Sequence, residues 1–166
     1  MADHLDLLEL TRALSVRRGM RRGTPAAEWY ERGLALESAD PGAAAAAYER
    51  ALAGQPGLAD AHNNLGRVLH ETGSLVAAES HYRLAICADD RVALYWFNLG
   101  VVIEDEARVS EAIAAYERAI AIDPGFVDAH FNLARLLELV GRLAGNELLL
   151  RRAVRHLTTY KRLAVG

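Results

Sequence analysis

Apolar residues recur along this chain every three or four positions, and the recurrence stops and restarts at regular places. Trp96, Leu99 and Ile103 lie at i, i+3 and i+7 of one stretch, and residues 112–120 show the same spacing. This spacing places apolar side chains on one face of an α-helix. Residues 123–125, Asp-Pro-Gly, then interrupt the pattern, as they do at a helix end. The pattern therefore predicts short amphipathic helices joined by tight turns.

The helical pattern repeats with a period of 34 residues. Residues 59–92, 93–126 and 127–160 superpose without a gap, and residues 26–58 fit with one residue fewer between their halves. Gly73 and Gly141 lie at matching points, where the chain is expected to turn between two helices. Such a period is typical of arrays in which each unit is a helix pair that buries its apolar face against its neighbours.

Small residues occupy corresponding positions on the two helices of each predicted pair. Two antiparallel helices approach to roughly 8–9 Å only where the side chains between them are small, so these positions are expected to face each other. Tyrosines recur nearby and are expected to fill the space between units. The small residues are Gly33, Gly66, Gly100 and Ala134 on first helices and Ala44, Ala78 and Ala112 on second helices; the tyrosines are Tyr48, Tyr82 and Tyr116.

The recurring residues resemble the signature of the tetratricopeptide repeat family over about residues 26–160. The fourth unit departs from it, because Asn146 stands where alanine is expected. The resemblance implies an all-α fold, a right-handed α-solenoid of helix-turn-helix pairs whose first helices line a concave groove. The third unit carries the signature most fully, with Trp96, Leu99, Gly100, Ile103, Ala112, Tyr116, Ala119 and Pro124.

The resemblance divides the chain into two parts. Residues 1–24 are expected to form an N-terminal amphipathic helix followed by a basic linker, RRGMRRG. Residues 25–166 are expected to form the four-repeat domain, with a long C-terminal capping helix that runs to residue 165 because no proline or glycine occurs between about residues 146 and 165.

Asparagine recurs at the same helical position in three units, as Asn64, Asn98 and Asn132. Asparagine costs roughly 0.5 kcal/mol more than alanine inside a helix, but its amide offers both a donor and an acceptor to a peptide backbone. The three residues match the asparagine ladder of the O-linked N-acetylglucosamine transferase repeats, which implies contact with an extended peptide. A structural role at this position is the alternative. The family geometry adds these expected groove residues: Tyr30, Asn63, Arg67, Phe97, Val101, Phe131 and Arg135.

The expected groove holds more carboxylates than cations, which favours a protein or peptide partner that carries basic residues. The two-carboxylate clamp of chaperone-binding family members is incomplete here, because Asp128 stands where a cation is needed. A chaperone C-terminal tail is therefore not the expected ligand. The carboxylates are Glu31, Glu37, Asp60, Glu71, Glu104, Asp105, Asp128 and Glu138, against Arg67 and Arg135.

Composition narrows the class of protein further. The net charge of −3 gives no field that would attract nucleic acid, and no apolar stretch is long enough for a membrane span. Cys87 is the only cysteine, which excludes an internal disulfide; it is expected to be buried or half-buried, and a cytoplasmic location follows. His62 and His130 replace tryptophan and are expected to be packing residues. No phosphate loop, nucleophile motif or metal-ligand spacing occurs, so no enzyme activity, cofactor or metal is expected.

Two functions remain open. The first is a non-catalytic adaptor or scaffold that binds an extended peptide in the concave groove. The second is a regulatory module that works with a separate or missing DNA-binding domain, because the array loosely resembles those fused to MerR-like bacterial regulators. A homodimer through residues 1–24 or through the open ends of the solenoid is compatible with either.

Overall fold

The computed structural model describes residues 25–165, and the predicted N-terminal helix and linker lie outside them. The described residues form helices and turns with no strand. The eight helices are α1 (Pro25–Leu36), α2 (Pro41–Gly54), α3 (Ala59–Glu71), α4 (Leu75–Ala88), α5 (Ala93–Asp105), α6 (Val109–Ile122), α7 (Val127–Ala144) and α8 (Glu147–Val165).

The helices pack in chain order as four antiparallel pairs, α1 with α2, α3 with α4, α5 with α6 and α7 with α8. Each second helix then contacts the first helix of the next pair, and α3 also contacts α5 directly. An array in which each unit touches only its neighbours is a solenoid. The predicted all-α solenoid is confirmed, and α8 is the predicted long last helix.

Local chemistry sets where the helices begin and end. The carboxylate of Asp40 accepts a hydrogen bond from the backbone N–H of Ala43 at 2.9 Å, and Pro41 opens α2. Gly73 has a φ of +83° in the turn between α3 and α4. Ala107 occupies the corresponding turn between α5 and α6 with a φ of +60°, a conformation that costs a residue with a Cβ roughly 1–2 kcal/mol.

A fully buried tyrosine lies at the centre of each of the first three pairs: Tyr48, Tyr82 and Tyr116. The sequence predicted that the first-helix glycines face the small alanines of the second helices. In the structure these glycines chiefly face the edges of the tyrosine rings. A Cβ added at Gly100 would lie 2.6 Å from Cε1 of Tyr116. The glycine therefore makes room for an aromatic ring within its own pair.

The fourth pair differs from the ungapped alignment. Gly141 does not mark the turn: it lies inside α7, which has 18 residues where α3 and α5 have 13 each. The turn comes at Gly145, whose φ is +61°. Buried Ala153 takes the place that the alignment gave to Asn146. Ala153 lies seven positions after Asn146. Seven residues are about two helical turns, so the second helix keeps its buried face.

Candidate functional site

The first helices α1, α3, α5 and α7 carry the residues that were predicted to line the groove. Polar side chains join these helices to one another from repeat to repeat. Tyr95 donates to the carboxylate of Asp60 in the preceding pair, and Nε2 of His70 lies 2.6 Å from Oδ2 of Asp105 in the following pair. These contacts join residues 35 positions apart and fix neighbouring first helices side by side.

Each of the three repeated asparagines is half-buried and uses its amide N–H within the protein. Nδ2 of Asn64 donates to the hydroxyl of Tyr30 at 3.2 Å, and Nδ2 of Asn132 donates to the hydroxyl of Tyr116 at 3.2 Å. Nδ2 of Asn98 donates to Oδ1 of Asn63 at 2.8 Å. These bonds fix which way each amide points. Oδ1 of Asn64 already accepts a hydrogen bond from Asn63, whereas no donor among the described residues bonds to Oδ1 of Asn98 or Asn132.

Asn63 differs from its prediction as an exposed groove residue. It is buried, with 4 % of its surface exposed, and it bonds to two of the ladder residues. Its Nδ2 donates to Oδ1 of Asn64 at 3.2 Å, while its Oδ1 accepts from Asn98. Asn63 therefore fixes the side-chain amides of Asn64 and Asn98 from the buried side.

The two predicted groove cations are engaged by carboxylates. Arg67 contacts Glu37 of the first pair and Glu71 of its own helix, and Arg135 contacts Glu104 of the third pair. Burial alone would lower the pKa of Arg67, but the two carboxylates raise it above its ordinary value. These arginines therefore connect repeats and have little attraction left for an anionic ligand.

The predicted aromatic and apolar residues differ in how far they reach the surface. Tyr30 packs on Tyr48 with ring centres 5.8 Å apart, and half-buried Phe97 lies 5.0 Å from the ring of Phe126. Val101 is half-buried in the core. Phe131 is 43 % exposed, as is Leu94, so these two offer the open apolar surface.

Tyrosine–carboxylate contacts were not predicted. Tyr48 donates to Glu37, and Tyr116 donates to Glu104 at 3.0 Å. Burial and the adjacent carboxylate together raise the pKa of each tyrosine well above its usual range. Each carboxylate thus receives both a tyrosine and an arginine. The recurrence of a glutamate eleven or twelve residues before each tyrosine was the available signal.

His62 and His130 are buried, as predicted for packing residues, and each pairs with a second histidine. Nδ1 of His62 lies 3.0 Å from Nδ1 of His81, and Nδ1 of His130 lies 2.9 Å from Nδ1 of His156. Residues 25–165 contain no group of three or more potential metal ligands. Cys87 is exposed, so its predicted burial is wrong. No helix within the described range is both long and apolar enough to cross a membrane.

Sequence profiles agree with the geometry. A profile described as tetratricopeptide repeat matches residues 34–91, and one described as TPR repeat matches residues 108–141, which together span more than half of the chain. The chain belongs to the tetratricopeptide repeat family. The second match covers α6 and most of α7 and stops at Gly141, ahead of the displaced turn in the last pair.

Solved structures of tetratricopeptide repeat proteins share the fold of this chain. A crystal structure of MamA is 21 % identical and superposes with a TM-score of 0.76, covering 93 % of this chain and 84 % of that one. The first such domain of Spaghetti (RPAP3), bound to an HSP90 peptide SRMEEVD, is 18 % identical with a TM-score of 0.69, covering 74 % and 99 %. The Arabidopsis OM64 domain is 21 % identical with a TM-score of 0.66, covering 68 % and 93 %. No curated protein sequence matches this chain with significance.

Proposed function

We propose that this chain is a non-catalytic protein-interaction module, an adaptor or scaffold, that binds an extended peptide with basic residues along its first helices. The observation that carries the proposal is the pair Asn98 and Asn132. Both amides are held in place through Nδ2, and no donor among residues 25–165 bonds to either side-chain oxygen. Two oriented acceptors one repeat apart suit the N–H groups of an extended backbone.

Leu94 and Phe131 supply the apolar part of the proposed site. Each is 43 % exposed, and each lies on the same first helix as one of the two asparagines. Exposed apolar side chains beside fixed polar groups are typical of peptide-binding surfaces, since the apolar contacts add affinity and the polar groups set direction. This surface would take apolar side chains that alternate with the backbone contacts.

Charge favours basic residues in the ligand. Arg67 and Arg135 are already paired with carboxylates, so an acidic ligand would gain little from them and would face the remaining acidic groups. The HSP90 peptide in the RPAP3 complex contains two glutamates and an aspartate. We therefore propose that this chain selects against such a peptide, although the two domains share a fold.

The test is a binding selection from a peptide library of random sequence on the full chain, followed by titration calorimetry of selected peptides. We expect enrichment of lysine and arginine beside apolar residues, and no binding of SRMEEVD. The variant Asn98→Ala/Asn132→Ala should bind the selected peptides at least about fivefold more weakly, since each hydrogen bond contributes roughly 0.5–1.5 kcal/mol.

Gln55→Ala is the matched control, because it removes an exposed amide from the loop between α2 and α3. It should bind like the wild type, and both variants should keep the helical circular-dichroism signal. Equal affinity in the asparagine variant and the control would assign the asparagines a purely structural role. Enrichment of acidic peptides would overturn the charge argument.

A further inference from the structure

A cavity of about 530 Å³ opens between α7 and α8 at the end of the array. Its wall is largely apolar, and a second hollow of about 360 Å³ continues along α8 past Glu147 and Arg151. We call this surface the terminal groove. Its apolar lining is Phe131, Ala134, Leu150, Ala153, Val154 and Leu157.

The terminal groove lies where the array would accept another helix. In the first three pairs, the second helix is covered by the first helix of the next pair: α2 contacts α3, α4 contacts α5, and α6 contacts α7. Within residues 25–165, no helix follows α8 to cover it. Val154, which lines the groove, is 64 % exposed as a result. The shape and composition of the groove therefore fit an apolar face of a helix.

The charge around the terminal groove favours an acidic helix. The acidic residues beside it, Glu138 and Glu147, are paired with Arg142 and Arg151 of their own helices. Arg135 on the other rim is paired with Glu104. Of the cations of α8, Arg151 and Arg152 are paired with Glu147 and Glu117, whereas no carboxylate among residues 25–165 pairs with Arg155, Lys161 or Arg162.

The chain contains a segment with the matching chemistry. Residues 3–16, DHLDLLELTRALSV, precede the described structure, and Leu7, Leu10 and Leu14 recur in them at i, i+3 and i+7. Asp3, Asp6 and Glu9 give the segment an acidic first half, opposite in sign to α8. The lengths argue against docking within one chain. Residues 17–24 span at most about 28 Å. Neighbouring helix pairs are about 10 Å apart, so the three steps from α1 to α7 already need that distance. The segment would then still have to turn onto the far face of α8.

We propose that residues 3–16 of one copy bind in the terminal groove of a second copy, so that chains associate head to tail. The contact joins two different surfaces, which leaves a free segment at one end of the assembly and a free groove at the other. Phe131 lines both the terminal groove and the proposed peptide surface, whereas Leu94 and Asn98 lie outside the contact. The variant Asn98→Ala/Asn132→Ala leaves the apolar lining of the groove intact and Val154→Glu leaves both asparagines intact, so a failure of either proposal can be told from a failure of the other.

Sedimentation velocity of the full chain over a range of concentrations tests the proposal. The average mass of the wild type should rise with concentration. Val154→Glu places a charge at an exposed position in the groove. Leu7→Glu/Leu10→Glu places two charges on the apolar positions of the segment. Each variant should weaken association at least tenfold. Val76→Glu is the matched control, since Val76 is 73 % exposed on α4, away from the groove, and it should associate like the wild type.

Mixing the two defective variants gives the decisive result. The groove variant keeps an intact segment and the segment variant keeps an intact groove, so an equimolar mixture should form a one-to-one dimer and nothing larger. A wild type that stays monomeric at every concentration would overturn the proposal. Docking of the segment within its own chain would give that result. Association of Val154→Glu equal to that of Val76→Glu would also overturn it, and so would a mixture that stays monomeric.

Discussion

Gly100 shows how one residue sets the distance within a helix pair. An added Cβ would lie 2.6 Å from Cε1 and 2.8 Å from Cδ1 of Tyr116, and that ring is fully buried. We expect Gly100→Ala to lower the free energy of unfolding by roughly 1–3 kcal/mol, measured by urea denaturation, even though alanine favours the helix by about 1 kcal/mol. Gly42→Ala in α2 meets only Oδ1 of Asp40 at 3.5 Å and should be stabilising. Equal effects of both changes would show that the ring contact is not limiting.

Ala107 is a residue in a conformation that suits glycine. Its φ is +60°, and the corresponding residue one repeat earlier is Gly73, with a φ of +83°. Ala107→Gly should raise the free energy of unfolding by up to about 1 kcal/mol, because the left-handed region costs alanine roughly 1–2 kcal/mol and glycine very little. Gly73→Ala should lower it by a similar amount. Thermal unfolding of both variants checks the pair, and a shift of the same sign in both would contradict it.

The residue scale is also where the sequence was least informative. Helical periodicity assigns a face only to within about one residue, since neighbours lie about 100° apart around the helix. Asn63 and Asn64 are such neighbours, so only one of them can face the groove fully. Because both are asparagines, the residue type does not show which one is buried. The same uncertainty applies to Cys87, which lies at the end of α4 where the helix surface meets solvent.

At the scale of elements, two kinds of side-chain pair join a first helix to its second helix, and the two kinds alternate from one repeat to the next. Nε1 of Trp96 donates to the backbone oxygen of Asp90, six residues earlier. Nε2 of His62 makes the same bond to Pro56, and Nε2 of His130 makes it to Pro124, both at 3.0 Å. Opposite each of these two histidines the second helix places another histidine, whereas the third repeat has Ala115 at the position of His81. A large and a small side chain, or two of medium size, thus fill the same volume.

The bond to Pro56 fixes the protons of the first histidine pair. Because the Pro56 oxygen only accepts, Nε2 of His62 carries a proton and its Nδ1 accepts from Nδ1 of His81. Burial lowers the pKa of His81, and His62 lowers it further, against an opposing effect of Glu49. His156 behaves alike, since burial lowers its pKa first, followed by His130 and Arg152.

These shifts predict a loss of stability in mild acid. The unfolded histidines bind protons below a pH of about 6.5, whereas the folded ones resist protonation until a lower pH. The free energy of unfolding should therefore fall as the pH drops from about 7 to 5, by up to about 1.4 kcal/mol per pH unit for each group. His62→Trp/His81→Ala, which copies the tryptophan–alanine arrangement, should make the slope shallower in urea denaturation. An unchanged slope would show that this pair does not contribute.

The fourth pair shows a limit of sequence alignment at the element scale. Its first helix has 18 residues where α3 and α5 have 13 each, and its second helix begins at Glu147 rather than at residue 143, where the alignment would start it. The turn therefore lies at Gly145 and not at Gly141. The histidine pair shows the shift directly, because His62 and His81 are 19 positions apart whereas His130 and His156 are 26 apart. Seven residues are close to two helical turns, so a continuous helical pattern conceals the insertion.

At the scale of the whole molecule, the fold could be predicted because each repeat supplies an independent copy of the same pattern. The polar contacts between first helices could not, although they follow from the period: residues 34 or 35 positions apart, such as Asn64 with Tyr30 and Asn98 with Asn63, become neighbours. The period shows which positions meet, but the choice among rotamers decides which of them bond. The terminal groove, likewise, lies where no helix of residues 25–165 follows α8.

A solenoid should transmit damage only to its neighbours. Leu137 is 1 % exposed in the core of α7, and Leu137→Ala should cost roughly 2–5 kcal/mol. Because α7 contacts α6 and α8 but α1 contacts mainly α2, amide hydrogen exchange should accelerate most in α7 and α8, less in α5 and α6, and least in α1 and α2. Leu65→Ala, at a core position of α3 that is also 1 % exposed, is the matched variant and should shift the acceleration toward the first two pairs. Uniform acceleration in both variants would mean that the array unfolds as a single unit, with no gradient along its length.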